Sequence, residues 1–287
     1  MSDTKEYEER IVAFVDILGF KQLVNESIND SNKISNIFSY LKYLKAWEND
    51  GKNGWSIKKE LCFNPITESI TKAQEAKYDV SEETSCTCFS DSLVVSVPYD
   101  NQNINERFSA LVANLLYIGG KLIQAGVAWR GGMTVGKLIH EDNIVMGPAL
   151  IEAYQLEQNK AVYPRIILSE VLREKLELNL SENGTQKYLH DSYVIEYFDR
   201  EIGFDQLRYF ETIYKNDLAS TQNLCTETYK QELERAKEFI EKSLQNPSYD
   251  VHTLKKYIFL LQRFNLMEIS CDVKIDTSLL TYFLLKI

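Results

Sequence analysis

From Ile11 to Ile17, within "RIVAFVDILGF" (Arg10–Phe20), six of seven residues are apolar. A run this short and this apolar predicts a buried strand. The exception is Asp16. A buried carboxylate costs several kcal/mol unless something pairs with it, so Asp16 needs a partner. Beyond the strand, Leu23, Ile28, Ile34, Ile37, Leu41 and Leu44 recur at roughly helical spacing, which predicts a helix over 18–49. Residues 50–84 are polar and irregular, with room for one helix near 66–77. "TSCTCFSDSLVVSVP" predicts two short strands bent at "SDS" and stopped by Pro98.

Ile104, Phe108, Leu111, Leu115, Ile118 and Leu122 form the stripe of a long amphipathic helix. "GVAWRGGMTVGKLIHEDNIVMG" predicts strand, turn and strand, with Gly131, Gly132 and Gly136 allowing backbone that other residues resist. Gly147-Pro148 opens a further helix. "YPRIILS" predicts a strand and "SEVLREKLEL" a helix capped by Ser169. Strands recur near 189–198 and 207–213, and two charged amphipathic helices fill most of 219–267, broken by "NPSYD". The element order up to Ser169, β-α-β-β-α-β-β-α-β, fits an α+β sheet with helices on one face. The expected division is a sheet domain over 1–215 and a mainly helical extension over 216–287.

The chain has 287 residues, 44% of them hydrophobic and 26% charged, enough to bury a sizeable core. Its apolar runs are too short to span a bilayer, and its acidic, polar N-terminus has no signal-peptide core. A cytoplasmic protein with no membrane partner is expected. The formal net charge of −10 argues against a nucleic-acid partner, which needs a basic surface. It does not oppose a small nucleotide bound through a metal. The five cysteines match no zinc spacing, and Cys86 and Cys88, on one face of a strand, read as buried small hydrophobes.

Three segments together resemble class III nucleotidyl cyclases. "FVDILGF" (Phe14–Phe20) is similar to their first metal-binding strand. "FSDSLVVSV" (Phe89–Val97) is similar to the hairpin with the second metal-binding aspartate, which Gly usually precedes and Ser90 precedes here. "WRGGMTVGKLIHEDNIVMGPALIEAYQLE" (Trp129–Glu157) resembles the Arg-x-Gly strand, the Gly turn and the helix carrying catalytic residues, and "RIILSEVL" the strand–Ser–helix after it. The likeness covers about residues 10–175. It implies a ferredoxin-like βαββαβ sheet and a nucleoside triphosphate bound with Mg²⁺ or Mn²⁺. It also implies, where active, formation of a 3′,5′-cyclic nucleotide and pyrophosphate. Asp16 and Asp91 would be the metal ligands, a pairing that fits a hard cation bound by one or two carboxylates plus phosphate oxygens. The backbone of Ile17, Leu18, Gly19 and Phe20, entering a helix, would hold phosphates. Read singly, Asp16 also suits a helix N-cap and Asp91 a plain turn residue.

The chain departs from the family on the catalytic helix. Aligned on Leu156-Glu157, Ile151 stands where the family has Asn, and Gln155 where it has Arg. A comparable arginine in phosphoryl transfer is worth about 10³ to 10⁵ in rate, or roughly 4–7 kcal/mol. Weak or absent adenylate and guanylate cyclase activity is therefore expected. Gln155 and Asn159, one turn apart, can still hydrogen-bond a ribose or base, and Arg130, Lys137, Lys160 and Arg165 are substitute cations. Gln155, Arg130 and Asn159 are the expected catalytic set. His140 reads as an exposed turn residue and Glu157 as a polar-face residue. Family sites form between two cyclase domains, and this chain carries each motif once, so a homodimer is expected. The alternatives are an inactive cyclase-fold nucleotide sensor and a protein-interaction module.

Overall fold

A computed structural model describes residues 5–49, 83–178, 188–189, 194–213, 227–267 and 273–278; the helix expected near 66–77 lies outside them. β1 (Glu8–Ile17) leads into α1 (Phe20–Ser27) and α2 (Ser31–Asn49). β2 (Ser85–Phe89) and β3 (Ser92–Pro98) form a hairpin, followed by α3 (Ile104–Gln124). β4 (Trp129–Glu141) turns into β5 (Ile144–Met146), and α4 (Pro148–Asn159), β6 (Ile166–Leu168) and α5 (Glu170–Lys175) follow. β7 (Tyr188–Leu189), β8 (Val194–Glu196) and β9 (Ile202–Phe204) extend the sheet, and α6 (Glu227–Leu244) and α7 (Val251–Leu266) complete the described elements.

The strand order is β2-β3-β1-β4-β6-β9-β8-β7, with β5 paired to β4. Its first four strands are antiparallel neighbours with the helical crossovers α1–α2 and α3, which is the expected ferredoxin-like βαββαβ arrangement. The period-2 alternation of β1 sorts its two faces. Ile11, Ala13, Val15 and Ile17 pack under α2 and α3 with Leu44, Trp47, Phe108, Leu111 and Leu115. Val12 and Phe14 face the opposite way, toward Ala149 and Ala153 of α4. The ferredoxin-like helices thus share one face, and α4 covers the other.

Several details differ from the pattern-based expectations. The helix over 18–49 is two helices. Asp30 Oδ1 accepts from the backbone amides of Asn32 (3.0 Å) and Lys33 (3.1 Å), capping α2. The break shifts the helical phase, so Ile28 and Ile34 are exposed while Leu44 and Trp47 reach the core. The glycines of β4 make no turn. The strand runs unbroken through them, and the hairpin turns at Asp142-Asn143, both with positive φ (51° and 63°), as a tight β-turn of this kind requires. The strand expected near 207–213 is a turn and a π-helical segment (Tyr209–Ile213). Its polar positions are not solvent-facing strand residues. Arg208 and Glu211 are buried and joined to Arg263 of α7, which also contacts Asp205 at 2.8 Å. The Ser169 cap is present, accepting from Leu172 N at 3.1 Å. Cys86 and Cys88 share the α2 face as free thiols. α6 and α7 share a core with Leu18, Ile123, Ala128 and Ile195.

Candidate functional site

The end of β1 gathers the expected metal-binding pair. Asp16 lies opposite Ser92 of β3 and Arg130 of β4, so all three side chains stand on the α4 face. Ser92 Oγ donates to Asp16 Oδ1 at 2.9 Å. Asp91 reaches this corner because the β2–β3 hairpin is tied to β1 by Ile17 N donating to Asp91 O at 3.1 Å. Ser90 makes the bend with a φ of 55°, a conformation glycine adopts without penalty. Burial pushes the Asp16 carboxyl up to about 6. The Ser92 hydrogen bond opposes that shift, while the neighbouring charges of Asp91 and Glu157 add to it and Arg130 lowers it. Asp16 therefore feels the charge of Asp91. Among the described residues no cluster of three or more His, Cys, Asp or Glu forms a ready-made metal cage.

The wall beside Asp16 is an ion pair. Arg130 Nη2 lies 2.6 Å from Glu157 Oε1, and the Glu157 side chain is 0% exposed. Glu157 is there because α4 descends directly onto β4. A Cβ on Gly132 would sit 2.3 Å from Ala153 O and 2.5 Å from Leu156 Cβ, so only glycine allows the approach. Phe14 and Tyr154 close the contact edge-to-face, 5.4 Å between centroids. Burial raises the Glu157 carboxyl above its ordinary range, with Arg130 counteracting. Glu157 is thus a buried partner rather than a polar-face residue. The charge of Arg130 is committed to it, which limits the expected catalytic role of that arginine.

The expected phosphate turn also divides. The amides of Ile17 and Leu18 already donate, to Asp91 O and to Ala128 O (2.8 Å). Gly19 has a φ of 76° and precedes the first helical residue, Phe20. The first amides of a helix have no partner within it, and a Cβ on Gly19 would meet nothing within 4 Å. This turn is open at Gly19 and Phe20.

Other expected residues lie elsewhere. Gln155 and Asn159 are exposed on α4, as is Ile151 at 59%. Among the substitute cations, Lys137 is exposed, Lys160 lies 3.2 Å from Glu201, and Arg165 is fully buried. Arg165 pairs with Asp199 and stacks over Tyr197 and Tyr163. His140 is no exposed turn residue. It is 7% exposed, its Nε2 2.8 Å from Thr87 Oγ1 and its Nδ1 2.8 Å from Ser96 Oγ.

The solved structures that resemble this chain include nucleotidyl cyclase domains. One is the monomeric guanylyl cyclase domain of the RhoGC fusion protein from the aquatic fungus Blastocladiella emersonii (15% identity over 69% of this chain and 95% of that one, TM-score 0.39). Another is the catalytic core of a rhodopsin-guanylyl cyclase with converted specificity, in complex with ATPαS (15%, 71% and 99%, TM-score 0.42). A third is a class III adenylyl cyclase-like ATP-binding protein from Pseudomonas aeruginosa (12%, 72% and 40%, TM-score 0.43). No family model and no curated sequence matches the chain. At such identities and TM-scores these likenesses assign neither a family nor a role, and the roles of residues rest on this chain's own geometry. No described helix is long and apolar enough to cross a membrane.

Sequence reasoning missed two features of this corner. One is the Glu157 partnership, whose only signal was Arg130 and Glu157 flanking the helix's glycine contact. The other is Lys256, a lysine bordering the Leu254, Tyr257, Leu260 and Leu261 face of α7, which lines a cleft with Gly19.

Proposed function

We propose that this protein binds a nucleoside triphosphate with Mg²⁺ or Mn²⁺ at the β1 end, as a divergent nucleotidyl cyclase-like protein. The observation that carries the reading is the meeting of Asp16 and Asp91 beside the open Gly19 turn. The donor set fits: two hard carboxylates repel each other there, and a divalent cation removes that cost. When bound, the metal would neutralise phosphate charge and draw the ribose 3′-hydroxyl toward deprotonation. Ser92 orients the Asp16 carboxylate, and the Arg130–Glu157 pair fixes the wall behind it. The Gly19 and Phe20 amides face the phosphates.

Cyclic nucleotide formation and assembly belong to the same proposal. Gln155, Asn159 and Ile151 are exposed on α4, whose exposed side also carries Tyr154 at 47%, and β5 exposes Ile144 at 61% and Met146 at 48%. A second copy placed on that apolar face would bring Gln155 and Asn159 to a partner's site. Calorimetric titration of each of the four triphosphates with Mn²⁺, together with product analysis, tests the first part. Binding of none of the four removes it. Light scattering at micromolar concentration, with and without nucleotide, tests the homodimer, and a monomer under both conditions removes the shared cleft.

A further inference from the structure

A small cleft of about 80 Å³ lies beside the Gly19 turn. Its walls are the Leu18-Gly19 turn, the Gly126–Ala128 turn before β4, and Thr253, Lys256 and Tyr257 of α7. Three facts make this more than a crevice. Gly19 presents open backbone toward space that no side chain fills. The Lys256 ammonium is half-buried, yet it forms no ion pair or hydrogen bond among the described residues. The Lys256 charge also senses Arg130 and Glu157, the ion pair beside Asp16. Desolvation is the first cause lowering the Lys256 pKa and the nearby Arg130 charge adds to it, while Asp250 and Glu157 oppose them in part. An anion would relieve the desolvation and the Arg130 repulsion.

We propose that Lys256, supplied by α7 of the same chain, contacts the outer phosphates of the bound triphosphate in this cleft. It thereby provides a cation where Gln155 leaves α4 without one. The assignment deepens the nucleotide-binding reading and rests on it for the identity of the ligand. It also gives the C-terminal helices a part in the site. They are held against the sheet by a shared core and by the Arg263 contacts to Asp205 and Glu211. The Lys256 stem is thus placed by packing, and a flexible ammonium suits a phosphate as a point charge.

The test uses the full chain and two probes, tripolyphosphate and the four nucleoside triphosphates, each titrated with and without Mn²⁺. Lys256→Gln is expected to weaken tripolyphosphate binding about tenfold, and Lys256→Arg to restore most of it. Lys255→Gln, one position along on the exposed side, is expected to change nothing. Wild-type tripolyphosphate affinity in Lys256→Gln overturns the inference, and if nucleotide still binds the wild type the proposed function stands. Lys256-dependent tripolyphosphate binding without nucleotide binding supports the inference and removes the nucleotide reading. Absence of binding of either probe to the wild type overturns both.

Discussion

His140 sets a pH dependence that can be worked from the structure. Arg10 Nε donates to Ser96 Oγ at 2.8 Å, and an arginine has no acceptor to offer in return. The Ser96 hydroxyl keeps its hydrogen to offer His140 Nδ1, and in the neutral tautomer that takes it Nε2–H donates to Thr87 Oγ1. This is a neutral imidazole. Protonating it would orphan the Ser96 hydroxyl and set two cations one hydroxyl apart. Burial first, and the Arg10 charge second, lower the pKa of His140 from 6.5 to about 3. The folded state therefore refuses a proton that the unfolded chain accepts. The stability contribution is complete above pH 6.5 and is lost as pH falls toward 3. Between pH 7.5 and 5.0 the loss is about 2 kcal/mol. His140→Asn removes the titration at a fixed packing cost. Guanidinium unfolding followed by tryptophan fluorescence at several pH values gives the wild-type-minus-variant difference in stability, free of other groups. That difference is expected to shrink by about 2 kcal/mol over the same pH interval. A difference that stays constant would show that His140 titrates alike in both states and would refute the network argument.

Four further outcomes are expected. Asp16→Asn abolishes Mn²⁺-dependent nucleotide binding by calorimetry yet raises the thermal midpoint of the ligand-free protein, by at most about 1 kcal/mol in stability, because a carboxylate disfavoured first by burial and then by the Asp91 charge is replaced by a neutral amide. Gly132→Val lowers stability by about 3 kcal/mol in denaturant titration, since the new side chain would overlap Ala153 O and Leu156 of α4. Ser90→Gly is stabilising by up to about 1 kcal/mol in the same titration, as it relieves a left-handed backbone. Arg263→Ala costs about 3 kcal/mol by thermal unfolding, because it leaves the buried Asp205 carboxylate without its cation and Glu211 with Arg208 alone.

Much of this molecule is legible in its sequence because the relevant signals are local. An apolar run around Asp16, a 3.6-residue stripe from Ile104 to Leu122, a Gly-Pro helix start and a Ser169 cap each depend on neighbours in the chain. Those elements appear where the pattern puts them, in the expected ferredoxin-like order. The glycines of β4 misled because a glycine serves a turn and a close approach equally well. Only the descent of α4 onto Gly132 shows which applies. "LRYFETI" misled because its charges are buried, and burial of Arg208 and Glu211 depends on Arg263, over fifty residues away. The site divides in the same way. The residue types at Asp16, Asp91 and Gly19 raised the expectation of an anion-and-metal site, and the fold brings these positions to one end of β1. Tertiary structure alone decided that Arg130 is held by Glu157, that His140 is buried and neutral, and that Lys256 lines the cleft by Gly19. The physical reason is range. Backbone propensity and periodicity act over a few residues, whereas pairing and desolvation of a charge are set by whatever the fold packs against it.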